Sequence, residues 1–220
     1  MKTIPAALVH KVIAPRLVSA GKAPALVLLH GRGANEDDLL GLAEYLDERL
    51  MIVSARAPFA WTHGGGFTWY DVVDIGVPEP AMFTESYRKL EQFMADIRTG
   101  YAIDERRILL GGFSMGTVMS FALALSCPGS FLGVAAHSGL IPEATGLPYV
   151  WEEVRGKPFF VAHGVHDPVI PVAFARRAKE LLTKAHAAVT YREYDLQHQI
   201  GEESLNDMMK WVSDLLDHQR

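Results

Sequence analysis

One serine stands where acyl-transfer chemistry would need a nucleophile. Ser114 lies in the run Gly112-Phe113-Ser114-Met115-Gly116. The apolar run Arg107 to Gly111 before it is predicted to be a strand. The stretch Ser114 to Ser126 after it is apolar nearly all round and is predicted to be a helix buried against a sheet. A strand that turns at once into a helix holds the intervening residue in a strained conformation with its side chain exposed. The flanking chain then passes so close that a side chain at 112 or 116 would clash. The helix also aims its first amides at the serine, where an oxyanion would form. Chance produces a Gly-x-Ser-x-Gly run in a chain of this length at a rate of about 5–10%. A glycine-rich packing turn is therefore the competing reading, and the remaining machinery has to be found elsewhere.

A serine hydroxyl is a weak nucleophile near neutral pH. It needs a base, and the base needs an orienting carboxylate. Where the serine sits on a strand-to-helix turn, the order along the chain is Ser, then Asp or Glu, then His. Asp167 follows the predicted strand Pro158 to Ala162, and His198 follows the predicted strand Val189 to Tyr194. Both are assigned on that basis, with Asp195 as the runner-up acid, disfavoured because it precedes His198 by only three residues. His137 and His163 fall at strand ends but lack a later acid in the right order. His186 and His218 are read as solvated helix residues. His163 with His166 is a bare pair without a ligand cluster, so no metal site is assigned. Cys127 is read as packing.

The segment His30-Gly31-Arg32-Gly33-Ala34-Asn35 follows another apolar run, Ala25 to His30. It resembles the His-Gly-x-Gly loops that donate a backbone amide to an oxyanion hole. The two donors are assigned to the amides of Arg32 and Met115. A phosphate loop fails on spacing, since no Gly-Lys-Ser/Thr follows and Gly-x-Gly-x-x-Gly is not completed. His30 is read as a structural histidine bonded within its loop.

The elements that must hold these residues alternate short β-branched runs with helical patterns, which predicts βαβ units and a mainly parallel sheet. Further strands are predicted at Met51 to Ala55 and Phe131 to Ala136, with one or two antiparallel edge strands between Leu8 and Val18. Asn35 is predicted to cap a helix carrying Leu39, Leu42, Ala43 and Leu46. Other helical faces are Tyr87 to Ile97, Ala175 to Ala185 and Leu205 to Leu216. The stretch from Ala57 to Phe83 is rich in Gly, Pro and aromatic residues and has no clear period. It is predicted to be a long ordered, functional loop. Its Phe67, Trp69 and Tyr70, with Leu140 and Ile170, are predicted to line an apolar acyl pocket. Packing of those rings onto the domain, or use of the loop as a homodimer contact, competes with that reading.

The 220 residues fit one domain, with neither a linker nor an internal repeat. Net charge is −5 and the nearest basic cluster is Arg176-Arg177, which argues against nucleic acid as a partner. With Cys127 the only cysteine, an intramolecular disulfide is excluded, which fits a cytoplasmic setting. The N-terminus shows no signal-peptide pattern, and no apolar run is long enough to span a bilayer.

Four segments together resemble the bacterial phospholipase/carboxylesterase family, which includes acyl-protein thioesterases. They are Leu29-His30-Gly31-Arg32-Gly33, the pentapeptide around Ser114, His163-Gly164-Val165-His166-Asp167-Pro168-Val169-Ile170-Pro171, and Tyr194-Asp195-Leu196-Gln197-His198-Gln199-Ile200. A fifth, Gly65-Gly66-Phe67-Thr68-Trp69-Tyr70-Asp71, is similar to the family's tryptophan-tyrosine-aspartate segment. The resemblance implies an α/β-hydrolase fold with a mainly parallel central sheet flanked by helices and no large separate lid domain. It implies cofactor-free hydrolysis of small-molecule carboxylic esters, with thioesters and lysophospholipids as alternatives. One departure stands out, because many members carry Gln where this chain has Met115. A backbone donor survives that exchange, whereas the pocket beside it need not. The remaining alternatives are a non-catalytic binding protein, a peptidase, or a dienelactone-type hydrolase, which generally uses Cys in place of Ser114.

Overall fold

The computed structural model describes residues 1–17 and 21–218. In chain order it contains strands β1 (His10–Ile13), β2 (Ala23–Leu29) and β3 (Met51–Ala55), then two short pairs, β4 (Phe59–Ala60) with β5 (Phe67–Thr68) and β6 (Val72–Asp74) with β7 (Val77–Pro78). Helix α1 (Pro80–Gly100), strand β8 (Ile103–Phe113), helix α2 (Met115–Ser126) and strand β9 (Gly133–His137) follow. The chain closes with β10 (Pro158–Gly164), α3 (Ala173–Lys184), β11 (Ala188–Tyr194) and α4 (Glu202–His218).

Among the described residues, seven strands form one sheet in the order β1-β3-β2-β8-β9-β10-β11. Every pairing in it is parallel except β1 with β3, which run antiparallel from His10↔Ala55 to Ile13↔Ile52. Alternate residues of each strand point to opposite faces. Ala25, Val27, Leu29, Val53, Leu110, Val134 and Val161 pack beneath α1, α2 and α3. Leu26, Leu28, Ile52, Leu109, Ala135 and Ala162 pack beneath α4 and the segment carrying Leu39, Ala43 and Leu46. Burial on both faces explains why these strands read as continuous apolar runs with no polar alternation.

The predicted strands are present, and most are longer than expected. β2 starts at Ala23 despite Pro24, because the register shifts between Ala23 and Ala25. At the N-terminus one edge strand forms, and Val18 lies outside the described residues. Two expectations are corrected. In place of a helix after Asn35 there is a 3₁₀ turn, Asp38–Leu42. The Asn35 carboxamide accepts from the Asp37 amide at 2.8 Å, and Gly41 weakens helix propagation further on. The stretch from Ala57 to Phe83 is not one irregular loop. It holds the two short strand pairs, and α1 begins within it at Pro80, with the Glu79 carboxylate accepting from Ala81 N at 3.0 Å and Met82 N at 2.7 Å.

The topology places the ends of β2, β8, β10 and β11 along one edge of the parallel sheet. His30 follows β2, Ser114 follows β8, Asp167 lies three residues beyond β10, and His198 lies four beyond β11. Ligands of open α/β sheets bind outside the carboxyl ends of the strands.

Candidate active site

Ser114 occupies the turn between β8 and α2 with φ 56° and ψ −119°, a positive-φ conformation that a non-glycine residue holds only under strain. Two glycines allow it by close approach. A Cβ on Gly116 would lie 1.8 Å from the Leu29 carbonyl oxygen, and one on Gly112 would lie 2.4 Å from the Thr117 nitrogen. The His137 carbonyl at the end of β9 accepts from the Ser114 amide at 3.0 Å and from the Thr117 hydroxyl at 2.7 Å, tying the turn to the neighbouring strand. Thr117 was not singled out in the sequence, because a threonine in an apolar helix has no pattern to mark it.

The three residues chosen by order along the chain meet in space. His198 Nε2 is 2.9 Å from Ser114 Oγ, and His198 Nδ1 is 2.6 Å from Asp167 Oδ2. A carboxylate only accepts, so Nδ1 carries the proton and Nε2 accepts from the serine hydroxyl. Asp167 Oδ1 accepts from the amides of Val169 at 2.8 Å and Ile170 at 2.9 Å, and its side chain is fully buried. The Phe113 ring packs 4.9 Å from the His198 ring, centroid to centroid. Asp195, the alternative acid, pairs with His166 Nε2 at 2.9 Å on the exposed surface.

His163 is buried behind Asp167. Its Nε2 donates to the Ile170 carbonyl at 2.7 Å and lies 3.3 Å from Asp167 Oδ2. Burial holds its pKa below the ordinary value, so it serves as a neutral prop for the 167–170 turn. Burial lowers His30 in the same way. Its Nε2 accepts from the Ala57 amide at 3.0 Å and its Nδ1 donates to the Gly31 carbonyl at 2.6 Å, the structural role expected of it. No cluster of three or more metal-ligating side chains occurs among the described residues.

The His30–Asn35 loop packs against the serine. A Cβ on Gly31 would lie 3.3 Å from Ser114 Cβ. Neither the Arg32 amide nor the first helical amide, that of Met115, donates to another described residue. Beside them opens a cleft of about 650 Å³. Ser114, Met115, Tyr70, Leu140 and Ile170 all border it. The Thr68 hydroxyl donates to the Tyr70 carbonyl at 2.7 Å, and its oxygen packs 3.4 Å from the Met115 sulfur.

Phe67 and Trp69, predicted for the same pocket, are not among its walls. Trp69 is fully buried and donates from Nε1 to the His30 carbonyl at 2.9 Å. Phe67 lies under the Arg56 guanidinium, 4.4 Å from its ring centroid, and its backbone bridges Ala34. Trp69 through its ring and Phe67 through its backbone thus support the His30–Asn35 loop. The wall the sequence reading missed is the β6–β7 hairpin, which contributes Val72, Ile75 and Val77, faced by Pro142. Its signal was present in the β-branched run Val72 to Val77 broken by Gly76.

Comparison with known proteins bears on the same arrangement. The sequence model described as Phospholipase/Carboxylesterase matches residues 11–216. Acyl-protein thioesterase 1 of Debaryomyces hansenii is 28% identical over 165 residues, covering 70% of this chain and 71% of that protein. The Candida albicans protein of the same name is 26% identical over 219 residues, covering 90% and 94%. Among solved structures, the Bacillus cereus carboxylesterase superposes with a TM-score of 0.83 at 25% identity, covering 94% of each chain. A family match over nearly the whole chain and a parallel sheet with a strained serine at the end of β8 lead to one conclusion: this chain belongs to the phospholipase/carboxylesterase family, serine hydrolases of the α/β-hydrolase fold.

Proposed function

We propose that the protein is a serine carboxylesterase acting on small or medium-chain carboxylic esters through Ser114, His198 and Asp167. The observation that carries this reading is the continuous line of hydrogen bonds Ser114 Oγ–His198 Nε2 and His198 Nδ1–Asp167 Oδ2, at 2.9 and 2.6 Å. Ser114 Oγ attacks the ester carbonyl and its proton passes to His198 Nε2. Asp167 holds the imidazole in the required tautomer and stabilises the imidazolium. The unpartnered amides of Arg32 and Met115 receive the oxyanion, a donor pair of which each member is worth about 3 kcal/mol in the transition state. The alcohol leaves with the proton from His198. Water then repeats the sequence on the acyl-enzyme. The cleft walled by Leu140, Ile170 and the β6–β7 hairpin takes the acyl chain.

A fluorophosphonate probe tests this directly. The wild-type protein is expected to be labelled and to hydrolyse a short-chain ester, and Ser114→Ala to lose both properties. Retention of full esterase activity by Ser114→Ala sinks the proposal, and failure of the wild-type protein to label favours a binding role. Parallel assays on thioester, amide and lysophospholipid substrates of matched acyl length rank the remaining substrate classes.

A further inference from the structure

The cleft beside Ser114 is apolar on most of its surface, yet two polar groups that open onto it have no polar partner among the described residues. The Arg32 guanidinium, on the loop next to the serine, stacks at 5.5 Å over the Trp61 ring. It has no carboxylate within ion-pairing distance among the described residues. The Tyr70 hydroxyl makes no hydrogen bond to any described residue, although its ring is buried against Phe83 at 5.3 Å. Both side chains line the same cleft. Burial pushes the Tyr70 phenol above its ordinary pKa, and the Arg32 charge opposes that rise. Of the surrounding wall only Asp74 carries a carboxylate, and it forms no ion pair with Arg32. Leu140, Ile170 and Val118 are apolar, and Asp74 on the hairpin engages the Ile75 amide at 2.7 Å.

We infer that Arg32 and Tyr70 form an anion-recognising subsite, and that the cleft favours esters whose acyl part ends in a carboxylate. A guanidinium and a phenolic O–H are both donors, and together they match the two oxygens of a carboxylate. Trp61 holds the guanidinium in place before substrate arrives, so less side-chain freedom is lost on binding. Asp74 borders the same cleft and repels a bound anion, which gives the subsite a second, opposite handle. This inference rests on the esterase reading above and adds the class of acyl group to it.

The test compares monoethyl adipate with ethyl hexanoate, which share a six-carbon acyl chain and differ in the terminal carboxylate. Ethanol release is measured for wild type, Arg32→Gln, Tyr70→Phe and Asp74→Asn, and the quantity read is the ratio of the two kcat/KM values. The wild-type ratio is expected to exceed one and to shrink in high salt, since Arg32 is exposed and screened. Arg32→Gln is expected to lower the ratio about tenfold, the scale of one charge-assisted hydrogen bond. Tyr70→Phe is expected to lower it less, and Asp74→Asn to raise it. A ratio that stays within about twofold of wild type in Arg32→Gln, against the tenfold scale of one such bond, overturns the subsite. So does a wild-type ratio at or below one. Using a ratio cancels general damage to the oxyanion loop. Hydrolysis of ethyl hexanoate with an unchanged ratio refutes the subsite alone, and absence of hydrolysis of both esters together with no fluorophosphonate labelling refutes the esterase reading. In that last case, calorimetry of adipate on wild type and Arg32→Gln still decides the anion site, which falls if the two bind alike.

Discussion

Asp167 accepts more hydrogen bonds than an amide in its place could. Its Oδ1 takes the Val169 and Ile170 amides, and its Oδ2 takes His198 Nδ1. Asp167→Asn retains one carbonyl oxygen, which the two backbone amides hold. The new NH₂ then faces His198 Nδ1 and drives the proton to Nε2, where it can no longer accept from Ser114. The expected outcome is an intact fold with kcat lowered about 10⁴-fold, checked by steady-state kinetics beside a thermal melt. Trp69 is a different case at the same scale. It is fully buried and holds the His30 carbonyl, so its ring acts on the oxyanion loop without meeting the acyl chain. Trp69→Ala is expected to cost about 3–5 kcal/mol of stability and to lower kcat while leaving the acyl chain-length preference where it was. Urea unfolding and a series of esters from acetate to octanoate check both halves. A shifted chain-length optimum would return Trp69 to the pocket wall.

The strand–turn–helix unit built from β8, Ser114 and α2 depends on backbone approach more than on any side chain. A Cβ at Gly116 meets the Leu29 carbonyl oxygen at 1.8 Å, so β2 and α2 cannot keep their present contact if that Cβ is present. Gly116→Ala is expected to destabilise the protein by at least about 2 kcal/mol and to abolish fluorophosphonate labelling, measured as the urea midpoint and the labelled fraction. The elements that carry Ser114, Asp167 and His198 were legible from sequence because strands buried on both faces read as apolar runs, and each residue follows the end of such a run. The Asp38–Leu42 segment was misread as a helix because Leu39, Ala43 and Leu46 are buried at helical spacing, while the Asn35 turn and Gly41 set the local hydrogen bonds. The β4–β5 and β6–β7 pairs span two or three residues each, too short for a period to show. Their positions rest on contacts distant in sequence, such as the Ala34–Phe67 bridge. Aromatic content singled out the 57–83 stretch, part of which borders the cleft. It carried no information on which way each ring points, so Tyr70 faces the cleft and Trp69 faces away from it.

Across the whole molecule, the sheet divides the core into two layers, and the edge bearing Ser114 is underlain by histidines buried in the neutral form. His137, at the end of β9, is one of them. Its Nε2 has no partner among the described residues, and its ring lies 5.6 Å from Phe160. Burial lowers its pKa from the ordinary 6.5 to about 4, with the neighbouring His163 adding to the effect and a Ser204 backbone contact opposing it. The unfolded chain therefore binds a proton at His137 between about pH 6.5 and pH 4 that the folded chain refuses. Stability from this group is fully present above pH 6.5, falls as pH drops through that window, and levels off below pH 4. A shift of that size corresponds to about 3 kcal/mol across the window. His30 and His163 are lowered by burial as well and contribute in the same direction. Replacing the His137 side chain by Leu leaves the backbone carbonyl that accepts from Ser114 and Thr117, and it removes the ring that titrates. His137→Leu is thus expected to flatten the decline of Tm between pH 6.5 and pH 4, with a residual slope from the other two histidines. Calorimetric melts of both proteins across that range decide it, since parallel Tm profiles would mean that protonation of His137 does not drive acid unfolding.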